Sequence, residues 1–133
     1  MNGITALLLF TAWTLALMLT YVFYRTGLVA TGAKRADSWT RGRPTDDPGF
    51  VVRAQHAHMN CVENLPVFAA IVLAAYVMAR AGVADTFAPY VLYMRLAQSV
   101  THLVGVSHVL VFVRGTFFTI QVLLFLWMIL QLL

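Results

Sequence analysis

Arg53, His56, Asn60 and Glu63 follow one another at intervals of three and four residues. On an α-helix, at about 100° per residue, that spacing gathers them in an arc of about 80°, with Asn64 at its edge. Arg95, Gln98, Ser99 and His102 repeat the pattern farther along, and Arg114 and Gln121 share a face of a later segment. Guanidinium, imidazole, amide and carboxylate groups in register can grip a charged ligand and hold or release a proton beside it. The setting makes the pattern informative, because each polar stripe interrupts a long apolar run.

Those runs bound the class of protein. Of 133 residues, 61% are hydrophobic and only 11% charged, with mean hydropathy +0.80. A soluble domain would carry about twice that share of charged residues. The expected spans are 3–25, 50–79, 86–107 and 109–133, each near the ~20 residues that a ~30 Å hydrocarbon core demands. Backbone groups in lipid are satisfied only in helices or closed barrels, and the runs lack the alternation of barrel strands. The expectation is therefore an all-α integral membrane four-helix bundle forming a single domain over 1–133.

The net charge of +4 is not a nucleic-acid footprint, because most basic residues sit in one connection. Residues 26–49 form the long loop, rich in glycine and proline and holding Lys34, Arg35, Arg41 and Arg43. The positive-inside rule places this loop in the cytoplasm and both termini on the far side. Eight arginines against one lysine, in so compact a chain, point to a bacterial inner membrane. Met1-Asn2-Gly3 lacks the basic region of a cleavable signal, so the first span is expected to remain. Cys61, the single cysteine, excludes an intrachain disulfide and a multi-cysteine metal site. No metal is expected.

Depth sharpens the reading. Counting 1.5 Å per residue from the cytoplasmic ends, Glu63 lies roughly 20 Å deep and Arg95 roughly 18 Å deep. The two are expected to form a structural ion pair closing a cleft that opens to the cytoplasm, with His102 level with Arg53 and His56. Such a pair can serve helix register alone. It leaves Arg53, His56, Asn60, Gln98, His102 and Arg114 unexplained, and an intramembrane polar cluster is by default a functional site. His58 points about 140° away from Arg53 and reads as structural. Trp13, Phe117, Phe118 and Trp127 read as packing or interface residues.

The segment Arg53-Ala-Gln-His56-Ala57-His58-Met-Asn60-Cys61-Val-Glu63-Asn64-Leu-Pro66-Val-Phe68 resembles the second-helix signature of the MAPEG proteins. These are the membrane-associated proteins of eicosanoid and glutathione metabolism. The spacing of Asn60, Glu63, Pro66 and Phe68 carries the likeness, and the four-span plan and basic first loop extend it to the whole chain. The resemblance implies a homotrimer in lipid, with glutathione as cosubstrate between subunits and a hydrophobic small molecule as second substrate. It assigns the tripeptide's charged ends to Arg53, Asn60 and Glu63, with Lys34 or Arg35 contributing from the loop. It gives Arg114 the stabilisation of the thiolate. Two departures stand out: His56 occupies a position where the family often has arginine, and Gln98 and His102 stand where many eicosanoid-type members have tyrosines.

The implied chemistry is physically coherent. Guanidinium forks and one carboxylate complement a ligand bearing two carboxylates and one ammonium. A cation beside a thiol raises its thiolate fraction, and the thiolate is the nucleophile. The expected function is a glutathione-dependent transferase or peroxidase acting on a lipophilic electrophile or lipid peroxide. Arg114 and His102 would be catalytic, and Arg53, His56, Asn60, Glu63, Gln98, Arg35 and Lys34 would bind the cosubstrate. The alternative is a non-catalytic lipid-binding or scaffold protein of the same fold. A small multidrug exporter ranks below both, since such proteins carry their glutamate in the first span and have short loops.

Overall fold

The computed structural model describes residues 1–133 as four long helices and one short 3-10 turn, without strands. Helix α1 covers Gly3–Ala30, α2 Gly49–Val77, α3 Ala81–Val104 and α4 His108–Leu132, with the 3-10 turn at Ala36–Trp39 in the long loop. Helices α1, α2 and α4 are long and apolar enough to cross a membrane. Helix α3 falls short on composition because of its polar stripe, yet Arg95, Gln98, Ser99 and His102 are all buried. Its polarity faces protein, so the helix suits the same environment as its neighbours. The protein is an integral membrane four-helix bundle.

Two helix boundaries depart from the sequence expectation. Helix α1 runs on to Ala30, because an isolated Gly27 does not stop a helix and Thr31 closes the end by donating to the Gly27 carbonyl. Helix α3 starts at Ala81, directly after a turn in which Ala79 adopts φ 56°. Within the helices, Thr11, Thr14, Thr20, Thr101, Thr116 and Thr119 donate their hydroxyls to the carbonyl four residues back. That satisfies each hydroxyl where no water is at hand.

The apolar core occupies one half of the bundle. Phe10 of α1, Phe68 of α2 and Phe125 of α4 form a continuous aromatic run, with ring centroids 5.4 and 5.9 Å apart. At that end the polar groups staple helix termini. Asp85 Oδ1 accepts from the Gly3 N–H at 2.7 Å and from the Tyr76 hydroxyl at 2.6 Å. Arg80 donates to the carbonyls of Gln131 and Leu132, closing the end of α4. Gly3 has no room for a side chain, since a Cβ there would lie 2.7 Å from the Ala84 Cβ.

Helix α4 contributes to this core through Phe125, Met128 and Leu132, with Leu124 packed at its edge. It packs far more extensively on α3 than on α2. That uneven packing leaves a polar groove at the opposite end from the aromatic core. On the groove's side of the molecule lies the long loop, held by Asp47, whose carboxylate receives Arg25 at 2.9 Å and Trp39 Nε1 at 3.0 Å.

Candidate functional site

Three helices build the groove. From α2 come His56, Asn60 and Glu63, from α3 Gln98 and His102, and from α4 Arg114. The space consists of two adjoining cavities of about 280 and 370 Å³ that share Asn60, Glu63, Val111 and Arg114. The three-and-four spacing on α2 sets His56, Asn60 and Glu63 on successive turns of one face. Arg114 enters from α4 two turns after Ser107, whose side chain caps that helix by accepting from the Leu110 N–H.

The α2 and α3 stripes meet at Asn60 and His102. Asn60 Nδ2 lies 3.5 Å from His102 Nδ1, and the His56 and His102 rings are 6.1 Å apart. His102 is buried at the groove's inner edge, whereas His56 is exposed at its rim. Gln98 is buried with its Oε1 unpartnered, an acceptor left free beside the cavity it lines. Asn64 and Gln121 close the floor, Gln121 Nε2 donating to Asn64 Oδ1 at 3.4 Å.

Glu63 and Arg114 both face the groove, and neither has a hydrogen-bond or ionic partner in the chain. The ion pairs are Arg25–Asp47, Lys34–Asp46 and Arg35–Asp37, all involving the loop. A carboxylate from α2 and a guanidinium from α4, neither of them paired, give the groove both signs of charge.

The expected Glu63–Arg95 ion pair is not made. Arg95 is fully buried, its guanidinium lies over the Phe10 ring at 5.5 Å, and its three nitrogens have no hydrogen-bond partner. It sits on the side of α2 that carries Cys61, whose Sγ is 3.7 Å from the Ser99 hydroxyl. Glu63, two residues on, points about 160° away from Cys61 around the helix. Depth is shared by the two groups; azimuth separates them.

The remaining expected residues lie outside the groove wall. Arg53 folds back over Gly49 and donates Nε to the Leu103 carbonyl at 2.9 Å, capping α3. Lys34 binds both oxygens of Asp46 at 2.8 Å, and Arg35 pairs with Asp37. Sequence reasoning missed Val111, Gly115 and Phe118 as groove residues. Their signal was present: Gly115 adjoins Arg114, and Val111 and Phe118 lie three and four residues from it on the same face. No three of the His, Cys, Asp and Glu side chains converge as a metal site.

No curated protein and no solved structure matches the chain significantly. A family model does, over residues 4–133, and it is that of the MAPEG family. The match takes in all four helices, including the α2 segment that supplies Asn60 and Glu63 to the groove. The chain belongs to the MAPEG family, a class of membrane proteins of the glutathione-related transferase and peroxidase type.

Proposed function

We propose that the protein is a glutathione-dependent transferase or peroxidase acting on a lipophilic electrophile or lipid peroxide. One observation carries this reading: an uncommitted guanidinium, Arg114, and an uncommitted carboxylate, Glu63, line the same groove. Glutathione offers carboxylates and an ammonium at opposite ends with a thiol between them. Its ammonium would pair with Glu63 and its thiolate or a carboxylate with Arg114. Asn60 and Gln98 supply amide donors and acceptors to the peptide groups between.

The residues' chemical roles follow from their places. Arg114 lowers the thiol's pKa by stabilising the anion, and the proton leaves to water at the groove's open side. The sulfur then bonds to the electrophilic carbon while the leaving group departs with the bond's electron pair. With a peroxide, the sulfur bonds to one oxygen, the O–O bond breaks, and the departing alkoxide takes a proton. A second thiol then reduces the resulting sulfenic acid to water and a disulfide. His102, which lies beside Asn60 at the groove's inner edge, would pass the proton to the departing alkoxide. The apolar flank of Val111 and Phe118 receives the lipophile from the bilayer.

The open side of the groove and the exposed, unpaired Glu63 support assembly as a homotrimer, in which a neighbouring subunit covers the cleft. Arg53, with only its Nε engaged, and the loop residues Lys34 and Arg35 then add positive charge around the bound tripeptide. The basic loop faces the cytoplasm of a bacterial inner membrane, with both termini on the other side.

Calorimetric titration of glutathione onto the detergent-solubilised protein tests the reading. Saturable heat at millimolar thiol or below, with turnover of a generic haloarene, is expected. Absence of heat at millimolar thiol overturns it. A bound lipid in the groove without thiol-dependent turnover would instead establish the non-catalytic lipid-binding alternative.

A further inference from the structure

A second polar cleft lies outside the groove, between α1, α2 and the long loop, with a volume of about 430 Å³. The loop's charges explain why it is electropositive. Asp37 is taken by Arg35, Asp46 by Lys34 and Asp47 by Arg25. Arg41 and Arg43 are left with no carboxylate, and both line this cleft. Arg43 donates only to the backbone carbonyl of Asp37, at 3.3 Å, and both side chains are exposed. The surplus positive charge of the loop is thus concentrated at one place.

The cleft also has an apolar side. Tyr21 and Met59 enter from the helices and Trp39 from the loop. Met59 and Val62, on the adjoining turn of α2, are 50% and 46% exposed, which continues an apolar track down the helix surface. Tyrosine and tryptophan settle at the level where lipid headgroups meet the hydrocarbon. A cleft running from the loop's arginines to that track straddles the same boundary.

We infer that this cleft binds the phosphate headgroup of an anionic phospholipid. Arg41 and Arg43 hold the phosphodiester, and one acyl chain lies along Met59 and Val62. Guanidinium forks match phosphate oxygens in geometry as well as in sign. Basic residues beside a membrane surface contribute additively to such binding. The inference does not rest on the proposed thiol chemistry, since it uses none of the groove's polar or charged residues; Met59 alone borders both spaces.

The test uses the full chain in mixed micelles, with lipid retention read by native mass spectrometry at low and high salt. Phosphatidylglycerol is compared with phosphatidylcholine. The wild type is expected to retain phosphatidylglycerol preferentially, and R41Q/R43Q to lose about tenfold or more of that preference. R80Q removes a positive charge at the opposite end of the bundle, outside the cleft, and is expected to keep it. Both variants change exposed or half-exposed side chains, and helical circular dichroism checks that each is folded. Equal loss in the two variants, or none in R41Q/R43Q, overturns the site. Displacement of the lipid by inorganic phosphate at millimolar concentration would make it a free-anion site and overturn the lipid assignment. Displacement by glutathione would do the same by joining the cleft to the thiol site.

Discussion

Arg53 donates its Nε proton to the Leu103 carbonyl at 2.9 Å, so the arginine that begins the α2 stripe caps the end of α3. A helix C-terminus carries unsatisfied carbonyls and a partial negative charge, and a guanidinium answers both. The residue that the resemblance assigns to ligand binding therefore has a structural duty in the same chain. Arg53→Ala is expected to destabilise the ligand-free protein by about 1.5 kcal/mol. Thermal unfolding without glutathione measures this, and an unchanged midpoint would show that the cap contributes nothing.

Arg114 stands apart from every carboxylate in the chain, and its effect on a bound thiol is electrostatic. Removing a cation adjacent to a thiolate raises the thiol's pKa toward its free value. In Arg114→Ala the pH–rate profile for haloarene conjugation should move upward by about one pH unit or more. At neutral pH the rate should then fall about tenfold or more, with the oligomeric state unaltered. A profile of unchanged shape and position would remove Arg114 from thiolate activation. Glu63→Gln should instead weaken glutathione binding with little movement of the profile, because in the proposed pose Glu63 meets the ammonium and not the sulfur.

Arg95 presents the opposite case, a buried guanidinium with no oxygen acceptor for its nitrogens, set against the Phe10 ring and the Cys61 thiol. Burying an unpaired charge is unfavourable, and a desolvated cation–π contact returns only about 2 kcal/mol of that cost. Arg95→Met keeps similar volume and removes the charge, so it should stabilise the isolated chain by about 1 kcal/mol or more. Chemical denaturation in detergent reads the sign. Marked destabilisation would mean that Arg95 has an acceptor in the assembled protein, with Glu63 of a neighbouring position the first to test by a double-mutant cycle.

These residues also mark how far the sequence could be read. The four helices follow from apolar length, and the α2 face follows from spacing, because both are properties of one helix taken alone. The convergence of Asn60, Gln98, His102 and Arg114 required only that polar stripes in lipid face protein. The Glu63–Arg95 pairing needed more, namely which way a long side chain folds after α2 and α3 have packed. Rise along the axis is fixed at 1.5 Å per residue, but rotation between neighbours is decided by packing. Arg95 turned toward Phe10 and Cys61, and no count along the chain encodes that choice. The structural contact of Arg53 was illegible for a related reason: its partner is a backbone carbonyl, Leu103 O, which has no sequence signature.

The loop gives a prediction in pH. Lys34 holds the Asp46 carboxyl below its usual range, chiefly through their hydrogen bond, and Asp46 in turn raises Lys34. A depressed carboxylate contributes stability that is present above its ordinary pKa and lost as pH falls through the lowered one. A raised amine contributes stability that is full below its ordinary pKa and lost as pH rises through the higher one. The clasp between Lys34 and Asp46 should therefore hold across the neutral range and open at both extremes. Hydrogen exchange of the amides of residues 31–48 is expected to quicken at acid pH. Asp46→Asn should show that faster exchange already at neutral pH, with the helices unaffected. Because both side chains are solvated, raising the ionic strength should weaken the clasp in the wild type and leave Asp46→Asn unchanged. Exchange that is insensitive to pH, salt and the substitution would place the order of the loop in the Asp47 contacts with Arg25 and Trp39 alone.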